Sequence, residues 1–546
     1  MVSPVTLARV CASVMTLTFV CVFETGTVGW DIEAEAQSPH GDKAALSVVG
    51  SAGAGRDVFR FETFGNEGFW TDAARIPKGM MDAKLTPLQA LQAGLLVDID
   101  AVPKALQQAI GAELKTDLSP QNAPMLHDPT TTVKLIEANA VIGIVPKDSN
   151  GDGRIDLAGG DRVGVSCAIC HTITDKSVHQ LPGAGSIGRR IDGPAALQLN
   201  MGKLLAMAAN SRALYPNLQV TLGGKTIGRA PTGLTPQSTE SEVDAYLSNP
   251  QFYPVGTFDE TQDGHGNSVI NTPLFRQDLA APYGSAGEFA KLVDISNGSY
   301  TTNLDPTTLL TPEGREFLKK KAGAAGEQLA NDYARVLADT GVTGFPYVRA
   351  TLVGNVGHPA SPVGRRVDEQ KLVDMKAYLE ALQAPKGGKI DAAASARGRK
   401  VFAVNCTACH KMDQSKPVSR TLVDMKVIIP GYTPAILALR VPPLSSVQDS
   451  PGTFDDKMIV VDASDRGAKR GNAIPMLLDL DRRTVLLHDV SVDGFEALLD
   501  PSRGTTAPHP FYVADSSQRA DLIQFLRGLQ TGGTAQKGRR GHLDPP

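Results

Sequence analysis

Two copies of one five-residue pattern constrain this chain more than any other feature of its sequence. The strings are Cys167-Ala168-Ile169-Cys170-His171 and Cys406-Thr407-Ala408-Cys409-His410. Cys-x-x-Cys-His is the attachment pattern of haem c, because two thiols a short turn apart can bond to the vinyl groups while the adjacent imidazole faces the iron. The sequence therefore predicts two covalent haem c groups, with His171 and His410 as the proximal iron ligands.

Two other chemistries use a Cys-x-x-Cys pair, namely structural zinc sites and redox dithiols. One zinc site built from all four cysteines would leave both histidines without a role, and it would require distant segments to converge. A redox dithiol follows a hydrophobic strand, and the sequence predicts no strand at 161–166 or 397–405. Haem attachment is therefore the favoured interpretation.

The two remaining cysteines, Cys11 and Cys21, lie in a segment typical of a secretory signal peptide. A short apolar run at 10–23 follows a basic residue, and a small-x-small cleavage pattern ends at Ala36. The run is shorter than the ~20 residues that cross a bilayer, which disfavours a membrane anchor. We predict a signal peptide over 1–36 and a periplasmic mature chain with no membrane span.

Length and charge limit the remaining possibilities. A chain of 546 residues is long for one domain, and its formal net charge of -4 provides no strong positive field for nucleic acid. Proline and glycine at 384–389 interrupt two helical patterns and predict a linker. The predicted parts are a signal peptide (1–36), an N-terminal helical extension (37–145), a first haem domain with insertions (146–384), a linker (385–391), a second haem domain (392–530) and a disordered tail (531–546).

Helical periodicity around the motifs predicts the fold class. A helix at 392–405 leads into the second motif with Gly398 and Phe402 on one side, and apolar residues at 522–529 recur at helical spacing. A comparable helix around Tyr378 closes the first unit. This order is similar to class I cytochromes c and implies a mainly α protein with two such domains, large loop insertions and a helical N-terminal extension.

Three further segments resemble the bacterial dihaem cytochrome c peroxidase superfamily: Arg440-Val441-Pro442-Pro443-Leu444, Leu487-His488-Asp489-Val490-Ser491-Val492 and Leu498-Leu499-Asp500-Pro501. Val490 stands where that superfamily has a glycine after His-Asp. The resemblance covers about 392–529, and for the first haem domain it covers only the motif and its position. It implies an exported dihaem cytochrome that exchanges single electrons with a redox partner protein.

The same resemblance keeps two enzymatic alternatives open, reduction of hydrogen peroxide and a haem oxygenase reaction. Peroxide reduction requires an acid–base residue over an open haem. Asp175 and Asp192 are candidates, but each fits a surface role equally well. No catalytic residue is therefore predicted.

The sixth ligand of each iron decides between electron transfer and ligand binding, since methionine, histidine and an open position give different chemistry. Met476 and Met458 are the candidates for the second haem, and Met476 is favoured. The candidates for the first haem are Met201, Met207 and His179.

One segment before the first motif resembles the start of a calcium loop. Asp and Asn alternate with other residues at 148–156, with a glycine for the sharp turn. Gly159 stands where the bidentate acid of such a loop is expected, so a turn without metal is the alternative. Ca²⁺ is therefore a second candidate cofactor.

Overall fold

Helices dominate the described part of this protein and its strands are short, so the predicted mainly α class is confirmed. The computed structural model describes residues 49–226, 230–259, 268–284, 289–418, 423–424, 457–459, 474–487, 490, 492–503, 509 and 511–529. Outside them lie the predicted signal peptide with Cys11 and Cys21, the segment 440–444, His488, Asp489 and the predicted tail. No helix of the described ranges is both long and apolar enough to cross a membrane.

The α-helices are α1 (Ala52–Phe61), α2 (Ile76–Asp82), α3 (Pro87–Gln92), α4 (Lys104–Glu113), α5 (Pro129–Glu137), α6 (Ala168–His171), α7 (Met201–Leu205), α8 (Glu240–Ser248), α9 (Leu292–Gly298), α10 (Pro312–Asp339), α11 (Glu369–Ala381), α12 (Ala392–Asn405), α13 (Gly494–Leu498) and α14 (Ser516–Arg527). Helix α10 is broken at Gly323, where φ is +56°. Lys319 and Glu327, one on each side of the break, form an ion pair at 2.7 Å.

The strands are β1 (Leu96–Asp98), β2 (Ile144–Lys147), β3 (Arg162–Val165), β4 (Thr172–Thr174), β5 (His179–Gln180), β6 (Ser186–Gly188), β7 (Arg190–Asp192), β8 (Thr221–Leu222), β9 (Lys225–Thr226), β10 (Thr257–Asp259), β11 (Ser268–Ile270), β12 (Leu352–Val353), β13 (Arg365–Arg366), β14 (Val423–Asp424), β15 (Lys457–Ile459), β16 (Val485–Leu486) and β17 (Val492–Asp493). One sheet has three strands in the order β1-β6-β5, with β1 parallel to β6 and Leu96 opposite Ser186. The other described sheets are antiparallel pairs.

The first motif is packed against a helix pair that crosses at Gly55. A β-carbon added to Gly55 in α1 would lie 1.9 Å from the carbonyl oxygen of Asp374 in α11, so only glycine allows this approach. The ring centre of Phe59 lies 5.8 Å from that of Tyr378 across the same pair. The backbone N–H of Ser51 donates to the Asp374 carboxylate at 2.7 Å and fixes the start of α1.

The second motif follows a helix pair of the same kind. A β-carbon added to Gly398 in α12 would lie 2.0 Å from the carbonyl oxygen of Asp521 in α14. The ring centres of Phe402 and Phe525 are 5.2 Å apart, and Arg397 forms an ion pair with Asp521 at 2.6 Å. The two helix pairs therefore repeat one packing arrangement.

A repeated string explains why the two pairs pack alike. The sequence has Gly-Arg-Asp-Val-Phe at 55–59 and Gly-Arg-Lys-Val-Phe at 398–402. Only the second copy stands just before a haem motif, while the first falls in the predicted N-terminal extension. The structure packs α1 against α11, in one apolar cluster with Ala168 of the first motif. The described residues belong to one compact unit, so the domain boundaries predicted inside it stay predictions.

The long segment between α1 and the first motif begins and ends close to the C-terminal end of α1. Residues 62–166 separate the two elements, yet the Ser166 hydroxyl donates to the carbonyl oxygen of Arg60 at 2.7 Å. Apolar side chains of the 62–166 segment, among them Phe69 and Leu135, belong to an apolar cluster other than the one that contains Ala168. The first motif is thus placed at the end of α1 despite the long separation in sequence.

The prediction that no strand precedes Cys167 is wrong. Strand β3 ends at Val165 and pairs with β2. It has four residues, one of them glycine, so no long apolar run marks it in the sequence. On the other edge of β3, the Asn66 Oδ1 atom accepts from the Val165 N–H at 3.0 Å, and the Asn66 Nδ2 atom donates to the Val165 carbonyl oxygen at 2.8 Å. Because the Asn66 side chain occupies the hydrogen-bonding groups of Val165 on this edge, β3 has one strand partner in the described part of the chain, namely β2.

Candidate functional site

The first motif presents a neutral imidazole in an orientation suited to a metal. Cys167 precedes the single-turn helix α6, and His171 ends it. The His171 Nδ1 atom lies 2.7 Å from the carbonyl oxygen of Thr272, which can only accept, so Nδ1 carries the proton. Burial lowers the pKa of His171 to about 4, against the opposing effect of this hydrogen bond. The unprotonated Nε2 is therefore available as a ligand.

The second motif continues the end of α12 as a turn. The Cys406 N–H donates to the Phe402 carbonyl at 2.9 Å, and the His410 N–H donates to the Cys406 carbonyl at 2.9 Å. Burial lowers the pKa of His410 to about 4, so its imidazole is neutral as well. Its Nδ1 atom is buried and has no hydrogen-bond partner among the described residues. No disulfide joins the four motif cysteines.

One cavity of about 650 Å³ connects the two motifs. All six motif cysteines and histidines lie on its wall, which is otherwise mostly apolar. The closing helices line it as well, with Met375 and Leu379 from α11 and Leu522 and Leu526 from α14. The described lining residues include no Asp or Glu side chain. Such a wall suits a large apolar ligand fixed by a few polar groups.

Arg483 is the cationic side chain on the described cavity wall. Its guanidinium donates to the carbonyl oxygen of Asn271 at 3.4 Å, next to the residue that accepts from His171. Burial lowers the pKa of Arg483 to about 10, with Asp479 opposing this shift, so the side chain is charged at neutral pH. Asp479 itself accepts a hydrogen bond from Arg482. The cavity therefore holds a positive charge that an anionic group would balance.

The predicted sixth-ligand candidates whose side chains are described fall into two groups. Met476, Met201 and Met207 line the cavity. His179 does not line the cavity; it lies in β5, which pairs with β6. The Met458 side chain lies outside the described part of the chain.

His509 and Trp70, like Arg483, are cavity residues that have no role in the sequence predictions. His509 lines the cavity, and its ring centre lies 6.2 Å from that of His410. The available signal was a histidine between two prolines, at 508–510. Trp70, which sequence analysis left in the N-terminal extension, also lines the cavity, and its buried Nε1 has no partner among the described residues.

The two carboxylates considered as peroxidase acids have structural roles. Asp192 accepts hydrogen bonds from Arg60 Nε and Tyr378 Oη, each at 2.6 Å, and from Thr172 Oγ1 at 3.1 Å. It thereby joins α1, α11 and β4. Asp175 accepts from the backbone N–H groups of Ser177, in its own turn, at 3.0 Å and of Arg189, between β6 and β7, at 2.8 Å. Neither residue lines the cavity, so neither is placed to act on a bound ligand.

The acidic segment at 148–156 uses its side chains within its own loop. The Asp148 carboxylate accepts from the N–H groups of Gly151 at 2.6 Å and Gly153 at 2.8 Å. Throughout the described ranges, no group of three or more His, Cys, Asp or Glu residues could hold a metal ion. This disfavours a zinc site made by the four motif cysteines, and calcium binding stays a prediction.

Comparisons with known proteins add little to this geometry. No family model and no curated protein matches the chain. A solved structure of Kuenenia stuttgartiensis hydrazine synthase, pressurised with xenon, is similar at 12% sequence identity with a TM-score of 0.25. The similarity covers 58% of this chain and 86% of that chain. A TM-score this low carries no argument about fold or function.

Proposed function

We propose that this protein binds two haem c groups covalently and transfers single electrons between redox partners. The observation that carries the proposal is that one mostly apolar cavity has a complete Cys-x-x-Cys-His motif at each of two places on its wall. The motif chemistry explains both histidines, which zinc and dithiol sites do not require. Bound haem would supply one-electron redox chemistry, while the chain supplies attachment, orientation and electrostatics.

Particular side chains fit this role. Cys167, Cys170, Cys406 and Cys409 would form the covalent links, and His171 and His410 would ligate the irons. The hydrogen bond between His171 Nδ1 and the Thr272 carbonyl fixes the ring and its protonated nitrogen, as for histidine ligands generally. Arg483 would balance the negative charge of haem carboxylates inside the apolar wall.

The repeated helix pairs support a finer description of the fold. We propose two class I cytochrome c-like domains, in which α1 with α11 and α12 with α14 are the first and last helices. The close approaches at Gly55 and Gly398 are the supporting observation. In the first domain, large insertions would separate the helices from the motif. Membership of the dihaem cytochrome c peroxidase superfamily, a signal peptide and a periplasmic location complete the proposal.

Electron transfer is favoured over peroxide reduction by the cavity wall. Peroxide reduction needs an acid–base group beside the iron. In the described ranges the titratable groups on the wall are the motif residues, His509, Arg483 and Tyr283. No carboxylate lies among them to move a proton between peroxide oxygens. A His509 that ligates iron could not act as the acid–base group, so the proposal does not extend to this reaction.

Visible and electron paramagnetic resonance spectroscopy test the proposal directly. We expect two covalent haems per chain after expression in a host that matures c-type cytochromes. Both ferric haems should be low-spin and unchanged by added cyanide, and both ferrous haems should be unchanged by added carbon monoxide. If either haem binds one of these ligands, the proposed function would change from electron transfer to ligand-binding enzymatic chemistry. A folded, exported chain without covalent haem would rule out the proposal.

Arg483→Met should lower the reduction potential of the nearer haem. A cation beside a haem favours the reduced form, and the loss of one partly buried charge costs roughly 1–2 kcal/mol, or about 40–90 mV. Spectroelectrochemical titration would measure the shift. Arg483→Lys keeps the charge and should retain most of the potential. Arg399→Met removes an exposed arginine of α12 and serves as the matched control; equal shifts in the two methionine variants would contradict the assigned role.

A further inference from the structure

We propose that His509 is the sixth ligand of the iron at the second motif, opposite His410. The inference rests on the proposed function, because it requires haem attached to Cys406 and Cys409. It replaces Met476, which sequence analysis favoured for this position.

The separation of the two imidazoles carries the inference. Their ring centres are 6.2 Å apart, with 48° between the ring planes. A metal–imidazole bond is about 2 Å long and the bonding nitrogen lies about 1 Å from its ring centre, so two imidazoles across one metal have centres about 6 Å apart. Axial imidazoles share an axis about which each can rotate, so the observed angle is compatible with this arrangement.

The position of His509 is independently constrained. His509 has φ of +53°, a backbone conformation that residues other than glycine seldom adopt and that clusters at functional sites. Its carbonyl accepts from the Phe511 N–H at 2.8 Å, and the Phe511 ring packs edge-on against its imidazole with centres 5.2 Å apart. Val513 N donates to Leu499 O at 3.2 Å and ties this segment to the end of α13. The imidazole is thus held against the same cavity that contains His410.

Direct ring contact and methionine ligation are the alternatives to iron ligation by His509. Aromatic rings in ordinary contact also have centres about 4.5–7 Å apart, so the distance alone does not require a metal between the histidines. Met476 lines the same cavity and has a thioether that can ligate haem iron. Histidine ligation gives a lower reduction potential than methionine ligation, so the two ligands are distinguishable by potential as well as by spectrum.

The experiment uses the full chain with both haems attached and counts the haems in every variant. In His509→Ala, one of the two haems should become high-spin and bind cyanide, and added imidazole should restore the low-spin spectrum. In His509→Met, one haem should gain the near-infrared charge-transfer band of methionine-ligated ferric haem, and its potential should rise. Met476→Leu should keep the spectrum of the parent protein. His358→Ala, which removes an exposed histidine, is the matched control.

The outcomes separate the inference from the proposed function. If His509→Ala keeps two covalent haems and an unchanged low-spin spectrum, His509 is not the ligand, although the chain is still a dihaem cytochrome. A high-spin haem in Met476→Leu but not in His509→Ala would assign Met476 instead. Absence of covalent haem from the parent protein would overturn the proposed function and this inference together. If His509→Ala does not fold, the band and potential of His509→Met decide between the two ligands.

Discussion

Gly55→Ala should lower the free energy of unfolding by about 3 kcal/mol, near the upper end of the usual cost of overpacking a tight interface. The added β-carbon would lie 1.9 Å from the Asp374 carbonyl oxygen, and backbone cannot move aside as the end of a flexible side chain can. Helices α1 and α11 would have to separate, which would disturb the cluster around the first motif. Gly398→Ala should have a similar effect through the Asp521 carbonyl.

Gly53→Ala is the matched control, because it lies in the same helix and its added β-carbon would meet only the Ser51 hydroxyl oxygen at 3.8 Å. Alanine is also the better helix former, by about 1 kcal/mol in a helix interior. Chemical denaturation of the haem-loaded protein would compare the three variants. Equal stability of Gly55→Ala and Gly53→Ala would show that the crossing of α1 and α11 is not as tight as described.

Replacing Cys406 and Cys409 with serine should remove one covalent haem and leave the other. Each thioether bond needs one cysteine thiol, and the double variant leaves none in the second motif. Serine is close to cysteine in size but cannot form the bond. Intact mass and the alkaline pyridine spectrum of the denatured chain would count the attached haems. The corresponding serine pair at 167 and 170 should also leave one haem.

The variant with all four serines is the decisive control for this prediction. It should contain no covalent haem, since the other cysteines, Cys11 and Cys21, lie in the predicted signal peptide. Covalent haem in that variant would show that another residue is the attachment site. Two haems in either serine-pair variant would contradict the assignment of one haem to each motif.

Local sequence signals predicted the second helix pair but not the first. Gly398 and Phe402 stand directly before their motif, so periodicity and motif support each other within one short segment. The partner helices α1 and α11 are joined by a hydrogen bond between residues 323 apart in sequence. Periodicity identifies an amphipathic helix without naming its partner. Only comparison of the two Gly-Arg-x-Val-Phe strings could have assigned α1 to this role.

Residues that act through the backbone leave little trace in a sequence. The group that orients His171 is the carbonyl of Thr272, which every residue type would offer. It comes from the first haem domain, where the sequence predicts only large loop insertions. The sequence shows that Asp192 carries a charge, but not that its three hydrogen-bond donors come from other segments of the chain. Such roles depend on tertiary contacts and require coordinates.

The continuity of the cavity has a consequence for the order in which two haems would be reduced. Both motifs face one apolar space, where charges interact more strongly than they do in water. An electron placed on one iron would therefore make the other harder to reduce, even if the two sites were chemically alike. Two haems in one cavity would show anticooperative redox titration, so the chain would accept and release its electrons one at a time.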